Sequence, residues 1–470
     1  MMTKRADLLN RKKEFTLTID ELKDEYAKRN PNSYAAYKKA AGCIPGGISG
    51  NVRFFAPFPL YMKKGEGAWV TDLDNHRYVD YVLSYGPLIH GHGNSEIKKA
   101  ADRYIDEHGT WQYGASHELE LEFANRIQSF LPSMEMMRFT NSGTEANLLS
   151  LRLARAYTGK KKIAKFEGHY HGGFNEVLVS TGPDLRKAGD EKRPLPVPES
   201  AGMTQEELQN TVILPFNDLE STRDILVANK KEIAAVILEP LLGGTIPATE
   251  EFIYGLRRIT EELGILLIMD EVKTGFCVSM NGAQGYYGVN PDLTILGKIV
   301  GGGMPIGVIG GKADIMQMIA PGGSYVPGIG IKNTEKVENL FHSGTYNAHP
   351  LILAMGMASI DLLEKKFDVL LKYTELLKDG IKDIFKACGI HILTPGVGAL
   401  FQIYITEANE IKNYRDIKKC NQNFRKKIDY ALLLNGIYNK PGKRLNISTA
   451  HTEEVIDFTL KVYEKVLREF

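Results

Sequence analysis

The sequence lacks several features that would assign it to common protein classes. Only four cysteines occur in 470 residues, and no two of them form a CxxC pair. This excludes a disulfide-rich secreted domain and a thiolate metal site, and it is typical of a reducing compartment. No run approaches the ~18 apolar residues that a membrane-spanning helix needs. The formal net charge is +1, so charge gives no reason to expect nucleic acid or an anionic membrane as a partner.

The chain start and the chain length give two further expectations. Residues 1–13 are polar and basic and lack the apolar core of a signal peptide, so we expect a cytoplasmic protein. A chain of 470 residues predicts two or three domains. We expect an N-terminal arm of helices and a hairpin over 1–82, a large ligand-binding domain over 83–345 and a small α+β domain over 346–470.

From about residue 95 the sequence alternates between helical periodicity and short apolar runs. This order predicts an α/β fold with a mostly parallel sheet covered on both faces. The ligands of such sheets lie outside the carboxyl ends of the strands. Helices are predicted over 95–108, 117–130, 145–157, 220–229, 250–263 and 312–319. Strands are predicted at 163–166, 212–214, 235–238, 265–269, 293–296 and 308–309.

The two ends of the chain follow different patterns. A capping box of Thr18 and Glu21 predicts a helix over 15–30, followed by a second helix over 33–42. The C-terminal part predicts long helices over 347–363, 367–387, 415–435 and 453–468, with short strands near 399–405 and 445–448. Two stretches are predicted to be long loops, 181–205 and 320–340.

A single lysine, Lys298, follows the apolar run 293–296, and glycines come directly after it. Burial at the end of a strand would lower the pKa of this amine and make it a nucleophile that can form a Schiff base. This stretch alone favours the simpler interpretation, a lysine that reaches from the strand end to water.

Residues 141–147 precede a predicted helix and contain Ser142, Gly143 and Thr144. Hydroxyls, a glycine and free N–H groups at a helix N-terminus suit a phosphate, although simple capping by Ser142 or Thr144 explains the same residues. The stretch does not match the P-loop pattern.

Two other predicted strands also end in residues that suit a ligand. Asp270 follows the strand 265–269 and could keep a ring nitrogen protonated, or it could cap the next element; Val272 would face the same opening. Tyr170 lies in the stretch 168–173 and could stack on a planar ligand. The flanking pair of His169 and His171 also allows a metal, but the neighbouring loops offer no obvious third ligand beyond His90 and His92.

Together these groups describe one ligand. A phosphate site, a stacking aromatic residue, a carboxylate for a ring nitrogen and a Schiff-base lysine match pyridoxal 5′-phosphate. No metal is expected.

The sequence resembles a known family, the class III (fold type I) pyridoxal-phosphate aminotransferases. It is most similar to the branch of glutamate-1-semialdehyde 2,1-aminomutase and related amino-acid transaminases. The resemblance implies the fold type I architecture, with a large domain built on a seven-stranded-type sheet and a smaller α+β C-terminal domain. Its motifs lie between about residue 45 and the C-terminus, at 84–92, 141–147, 166–172, 238–240, 270–272, 296–298 and 343–345.

The resemblance also implies roles for individual residues. Lys298 would carry the cofactor as a Schiff base and move a proton between Cα and C4′, while Asp270 would pair with the pyridinium nitrogen. The loop 174–205 matches the position of the aminomutase's gating loop. The other implied cofactor contacts are Tyr170 and Val272 on the two ring faces, Ser142, Gly143 and Thr144 at the phosphate, Asn217 at the ring hydroxyl, and Glu239. Thr345 would bind the phosphate in the neighbouring subunit, which implies a homodimer with shared sites; Arg53 and Tyr85 would bind substrate.

The sequence departs from the aminomutase pattern in two places. Gly50 stands where that pattern has a serine, and the stretch 438–448 is shorter and lacks its acidic residue. The missing acid favours a transaminase over a mutase. The substrate-binding arginines of the β-amino-acid transaminases are also unmatched, with Gly50 and Gly442 at their positions, but Lys443 and Arg444 could substitute.

The sequence therefore predicts a pyridoxal-phosphate transaminase that moves an amino group from an amino acid to a 2-oxo acid through the pyridoxamine form of the cofactor. Residues 56–60 resemble transaminases of β-amino acids, and residues 112–117 resemble those of D-arylglycines. The alternatives are an aminomutase or racemase on the same cofactor. A cofactor-binding sensor without activity is a further alternative, but the intact lysine, aspartate and phosphate loop weigh against it.

Overall fold

The computed structural model describes residues 18–322, 325–326, 330–331 and 340–469. The helices within these ranges are α1 (Ile19–Arg29), α2 (Pro31–Ala40), α3 (Ser95–His108), α4 (Glu118–Phe130), α5 (Gly143–Thr158), α6 (Asn175–Leu178), α7 (Gln205–Gln209), α8 (Leu219–Asn229), α9 (Glu250–Leu263), α10 (Gly282–Tyr287), α11 (Ala313–Met316), α12 (Pro350–Ala387), α13 (Tyr414–Lys419), α14 (Gln422–Leu434) and α15 (Glu453–Arg468).

The strands are numbered in the same way. They are β1 (Met62–Glu66), β2 (Trp69–Asp72), β3 (Arg77–Asp80), β4 (Met136–Thr140), β5 (Lys162–Phe166), β6 (Thr211–Leu214), β7 (Ile233–Leu238), β8 (Leu241–Leu242), β9 (Ile246–Pro247), β10 (Leu266–Asp270), β11 (Leu293–Gly297), β12 (Gly307–Gly311), β13 (Tyr325–Val326), β14 (Gly330–Ile331), β15 (Ile392–Leu393), β16 (Leu400–Phe401), β17 (Tyr404–Ile405), β18 (Ile437–Tyr438) and β19 (Leu445–Asn446).

A seven-stranded sheet forms the centre of the molecule, in the order β4-β12-β11-β10-β7-β5-β6. Strand β12 runs antiparallel to both of its neighbours, and the other pairs are parallel. Every residue of β7 and β11 is buried, as expected for strands with helices on both faces. The prediction of an α/β fold with a mostly parallel seven-stranded sheet is confirmed.

Apolar side chains fill both faces of this sheet. Alternate residues of β7 serve opposite faces: Ile237 belongs to one core, and Val236 and Leu238 to the other, because successive side chains of a strand point to opposite sides. The core that contains Ile237 also contains Leu149 and Leu153 of α5. Helix α5 therefore lies on one face, with its N-terminus at the edge where the parallel strands end.

Several predicted elements have different bounds in the structure. The helices predicted over 347–363 and 367–387 are one helix, α12, because the charged residues between them lie on its less buried side. The helix predicted over 415–435 is two helices, α13 and α14. Cys420 is extended between them, and Asn421 caps α14 by accepting a hydrogen bond from the Phe424 N–H. Strand β4 was not predicted, because its sequence carries an exposed arginine at its centre.

The two ends of the described chain meet in a second sheet. It has the order β1-β2-β3-β18, so the N-terminal hairpin pairs with a C-terminal strand. The predicted capping box at Thr18 and Glu21 is confirmed, while residues 15–17 lie outside the described residues. Most of the predicted loop 320–340 also lies outside them. No helix in the described ranges is both long and apolar enough to cross a bilayer.

Candidate active site

Neighbouring strand ends bring the first two predicted site residues together. Strands β10 and β11 are parallel, and Asp270 is paired in register with Ile295. Lys298 follows the last residue of β11 and begins a short 3-10 turn, Lys298–Gly301. The carboxylate and the amine therefore lie at the same edge of the sheet, where ligands of such folds bind.

Lys298 is held in a conformation that non-glycine residues rarely adopt. Its φ is 52°, and such backbone strain is found mainly at functional sites. Its Nζ donates a single hydrogen bond, 3.3 Å long, to the Val272 carbonyl. Burial lowers the pKa of Lys298 to about 7, and the nearby charges of Lys273 and Arg444 add to this effect. A large fraction of the amine is therefore neutral and nucleophilic near neutral pH.

The buried carboxylate of Asp270 accepts hydrogen bonds from three donors. Its Oδ2 accepts from Asn147 Nδ2 at 2.9 Å and from His171 Nδ1 at 2.8 Å, and its Oδ1 accepts from the Val272 N–H at 3.0 Å. Burial acts to raise the pKa of Asp270, but the His171 hydrogen bond and charge outweigh it, and the pKa lies below its usual range. Asp270 therefore stays ionised and can hold a proton on a facing nitrogen.

The N-terminus of α5 lies against the same strand end. Ser142 caps the helix by accepting from the Glu145 N–H at 3.2 Å. Within the described chain, the N–H groups of Gly143 and Thr144 have no hydrogen-bond partner. A side chain on Gly143 would begin 2.7 Å from Val272 Cγ2, so only glycine lets the helix start pack this closely. Free N–H groups at a helix N-terminus bind anions.

The loop after β5 supplies Tyr170 and His171, and a buried lysine fixes its path. Lys165 Nζ donates to the carbonyls of His169 at 3.0 Å and of Val177 at 2.9 Å. Tyr170 is anchored through its N–H, which donates to Glu239 Oε2 at 2.9 Å, while its ring remains exposed. The role of Lys165 could not be predicted, because this lysine lies inside an apolar strand pattern.

Glu239 is paired rather than free. Its Oε1 lies 2.5 Å from Lys273 Nζ. Burial acts to raise the pKa of Glu239, but the charge of Lys273 outweighs it and lowers the pKa to about 2. Lys273 Nζ is also 5.8 Å from the centre of the Tyr170 ring. Lys273 is a second residue that sequence reasoning missed, although it directly follows the 270–272 motif.

The predicted substrate residues Arg53 and Tyr85 both form hydrogen bonds with the loop 49–53. The Tyr85 hydroxyl donates to the Val52 carbonyl at 2.8 Å, and Arg53 Nη1 donates to Ser49 Oγ at 2.8 Å. Arg53 is exposed. Gly86 follows Tyr85 and lines the same cleft as Lys298, so Tyr85 lies next to the cleft wall.

Asn217 holds segments together that are distant in the chain. Its Nδ2 donates to the carbonyls of Pro247 at 3.1 Å and Lys412 at 2.9 Å, and its Oδ1 accepts from the Thr249 N–H at 2.9 Å. Both amide hydrogens are used in these bonds, so only Oδ1 could accept a further bond from a ring hydroxyl, and the contact of Asn217 with the cofactor stays a prediction.

Thr345 does not join the group around Lys298 within one chain. Its side chain is exposed, and its carbonyl accepts a hydrogen bond from Gln112 Nε2. The homodimeric role that the resemblance implies for Thr345 therefore stays a prediction.

A cleft opens beside Lys298. The amine of Lys298 lies on its wall. Val272 also lies on the wall; it follows Asp270 closely in the chain and packs against Gly143 at the start of α5, where the N–H groups are free. The described residues around it include Gly86, Val272, Lys273, Lys298, Arg444 and Asn446. These groups fit a phosphorylated aldehyde with a ring nitrogen. In the described part of the chain, no three metal-ligating side chains come together.

Comparison with known proteins decides the family. The family model for aminotransferase class-III matches residues 53–447. The chain is a member of the class-III aminotransferases. This family uses pyridoxal 5′-phosphate, in agreement with the amine, the carboxylate and the anion site described above.

Similar proteins cover almost the whole chain of this class-III aminotransferase. A glutamate-1-semialdehyde 2,1-aminomutase from Methanothrix thermoacetophila is 38% identical over 93% of this chain and 96% of its own length. Among solved structures, an ω-transaminase from Sphaerobacter thermophilus is 32% identical with a TM-score of 0.86, covering 94% of this chain and 99% of its own. A β-phenylalanine aminotransferase from Variovorax paradoxus is 30% identical with a TM-score of 0.80, covering 95% and 96%.

Proposed function

We propose that this class-III aminotransferase transfers the amino group of an amino acid to a 2-oxo acid, as a transaminase with two substrates. The proposal rests on one observation, the position of Arg444, a residue of the segment 438–448, on the wall of the cleft. Arg444 lies on the cleft wall beside Lys298, in a segment where the aminomutase pattern has an acidic residue. A cation there repels the second ammonium group of a diamino intermediate, which an acidic residue would attract.

The bound cofactor supplies an electron sink for the carbanion at the substrate Cα. In the proposed mechanism, the Lys298 amine takes the proton from Cα and returns it at C4′, which a neutral amine within the cleft can do. Asp270 keeps the ring nitrogen protonated, and His171 and Asn147 keep Asp270 oriented and ionised. The N–H groups of Gly143 and Thr144 would hold the phosphate, and Tyr170 and Val272 would flank the ring.

An aminomutase is the second candidate, and two observations favour it. The curated relative described above, 38% identical over nearly the whole chain, is a glutamate-1-semialdehyde 2,1-aminomutase. In addition, Arg53 is retained in the stretch where the aminomutase pattern has an arginine.

The two candidates differ in whether a second substrate is needed. The holoenzyme is mixed with single α-, β-, D- and L-amino acids without an acceptor. A transaminase loses its visible absorbance at about 420 nm and releases one equivalent of oxo acid. It then stops until a 2-oxo acid is added.

Glutamate-1-semialdehyde tests the second candidate directly. A mutase moves its amino group from carbon 2 to carbon 1 over many turnovers without a co-substrate. Sustained turnover of this compound, with no release of oxo acid from any amino acid, would overturn the transaminase proposal.

The proposal includes a homodimer with shared sites. Large exposed side chains surround the segment of Thr345: Trp111 is 67% exposed, Tyr346 60% and Phe341 78%. Gln112 next to Trp111 contacts the Thr345 carbonyl, so these residues belong to one region of the surface. Exposed apolar patches of this kind mark protein interfaces. A second copy that covers them would bring its own Thr345 towards the cofactor phosphate.

We also propose a cytoplasmic location. All four cysteines are free, and Cys277 is buried on the wall of the cleft. A reducing compartment keeps such thiols intact.

A further inference from the structure

Arg415, the second residue of α13, forms a largely buried ion pair with Glu167. Only 12% of the Arg415 side chain and 7% of the Glu167 side chain are exposed. Arg415 Nε and Nη2 donate to the two carboxylate oxygens of Glu167, at 2.9 and 3.0 Å. Such a bidentate pair fixes the relative orientation of its two partners. Glu167 begins the segment 167–172, here called the β5 loop, which carries Tyr170.

The same guanidinium also contacts a second loop. The segment 179–204 joins α6 to α7 and is here called the α6–α7 loop. Arg415 Nη1 donates to the Gly189 carbonyl at 3.0 Å, and Nη2 lies 3.3 Å from the carbonyls of Ala188 and Asp190. One side chain of the C-terminal part of the chain therefore connects α13 with both loops.

Tyr414, the residue before Arg415, contacts the same two loops. A side chain on Gly168 would begin 2.7 Å from Tyr414 Cβ, so only glycine lets α13 pack this closely on the β5 loop. The Tyr414 hydroxyl donates to the Pro183 carbonyl at 3.2 Å. The two loops also contact each other, because the Gly168 N–H donates to the Ser180 carbonyl at 2.9 Å. The start of α13 is therefore packed into the junction of the two loops.

The contacts with α13 complete the support of the β5 loop. Lys165 donates to the His169 carbonyl in the middle of the loop, and His171 near its end donates to Asp270. The start of the loop is held by α13. The Tyr170 ring itself is 47% exposed, so its orientation depends mainly on the backbone that carries it.

We propose that Arg415 is a positioning residue, which orients Tyr170 against the cofactor through Glu167 and holds the α6–α7 loop in place at the same time. The inference rests on the proposed function, in which Tyr170 flanks the cofactor ring, and it deepens that function by naming the residue that orients Tyr170. A lysine at position 415 would keep the charge but lose the planar fork that reaches both loops.

Visible circular dichroism of the holoenzyme tests the orientation of Tyr170, because this signal depends on how the cofactor ring is held. We expect Arg415→Met to change the signal and to lose the cofactor about tenfold faster during dialysis, with Arg415→Lys in between. Glu167→Gln should change both readouts in the same direction. The double variant should be no worse than Arg415→Met alone, because the two residues act through one contact.

Trypsin digestion of the holoenzyme tests the second loop. Arg186, Lys187 and Lys192 are exposed cleavage sites in the α6–α7 loop. We expect cleavage there to be about tenfold faster in Arg415→Met, because a loop that loses backbone hydrogen bonds opens more often. Glu167→Gln keeps the bonds from Arg415 to this loop and should be cleaved at close to the wild-type rate.

Arg126→Met is the control for a general loss of stability. Arg126 also joins two segments through carboxylates, because it lies in α4 and pairs with Asp361 and Glu364 of α12. We expect its loss to lower the melting temperature as Arg415→Met does. The dichroism, the cofactor release and the trypsin cleavage should stay unchanged.

The outcomes separate this inference from the proposed function. Unchanged dichroism and cofactor release in Arg415→Met, or unchanged cleavage of its α6–α7 loop, would overturn the role of Arg415. Equal effects of Arg126→Met would also overturn it, because a general loss of stability would then explain the results. The transaminase proposal fails separately, if no amino acid bleaches the unaltered holoenzyme, whatever these variants show.

Discussion

At the scale of single residues, three lysines with most of their surface buried differ in what surrounds the amine. Lys165 donates to several carbonyls, and Lys273 is paired with Glu239. Lys298 has only one long hydrogen bond, to a carbonyl 3.3 Å away. Reaction of the Lys298 amine with an aldehyde would therefore break fewer interactions than reaction of Lys165 or Lys273.

The low pKa of Lys298 predicts a pH dependence. The folded-state pKa is lowered to about 7, so the amine becomes neutral above about pH 7. In the cofactor-free protein, modification of Lys298 by an amine-reactive reagent should rise through pH 7 and level off by about pH 8. Mass spectrometry of the Lys298 peptide measures this rate. The same peptide in the denatured chain should react only as the pH approaches 10; matching profiles in the two states would contradict the lowered pKa.

Single residues also show what the sequence could and could not predict. Lys298, Asp270 and the stretch 142–144 could be predicted as candidates because each stands at the boundary of a regular pattern, the first two after a strand and the third at the start of a helix. The contacts of Asn217 with Pro247 and Lys412 could not be predicted, because they depend on segments distant in the chain. The ion pair of Arg415 and Glu167 depends on folding in the same way, so no local pattern could indicate it.

At the scale of secondary structure elements, the site depends on how closely α5 approaches the end of β10. Gly143 at the helix start packs on Val272, which follows Asp270. The distance between the anion site and the carboxylate is therefore set by one glycine contact.

This contact predicts a compensating pair of substitutions. Gly143→Ala should push α5 away from Val272 at a cost of about 1–3 kcal/mol and weaken binding of pyridoxal phosphate, measured by equilibrium dialysis. Adding Val272→Ala removes the methyl groups in the way and should restore part of the affinity. Gly173→Ala, where the new methyl group meets no atom within 4 Å, is the control. Wild-type affinity in Gly143→Ala would show that the contact does not set the site.

Long, regular elements were the most predictable. Helices α3 and α9 have the predicted bounds of 95–108 and 250–263, since each has a strong apolar stripe, a capping residue at its start and a glycine after its end. The fusion of two predicted helices into α12 and the missed edge strand β4 depend on packing, which local periodicity does not report.

At the scale of the whole molecule, the N-terminal and C-terminal parts of the described chain share one sheet, because β3 pairs with β18. Gly86, after β3, and Arg444, after β18, thus line the cleft from segments that are far apart in sequence. In the proposed dimer, the surface around Thr345 would face the second subunit.

The proposed dimer predicts complementation between inactive variants. If each site uses Lys298 of one subunit and Thr345 of its partner, a mixed dimer of Lys298→Ala and Thr345→Val contains one intact site. Refolding the two variants together should raise turnover above that of either alone, towards about a quarter of the wild-type value for random mixing. Light scattering should give about twice 52.4 kDa. Turnover no higher than the average of the two separate variants would contradict shared sites.

The most direct test of the central claim is reduction of the holoenzyme with borohydride, followed by mass spectrometry of its peptides. Reduction fixes a Schiff base as a stable secondary amine, so the cofactor marks the lysine that held it. We predict that the label lies on Lys298 and that Lys298→Ala loses both the label and the visible absorbance. A label on Lys165 or Lys273, or an unchanged label in Lys298→Ala, would contradict the account.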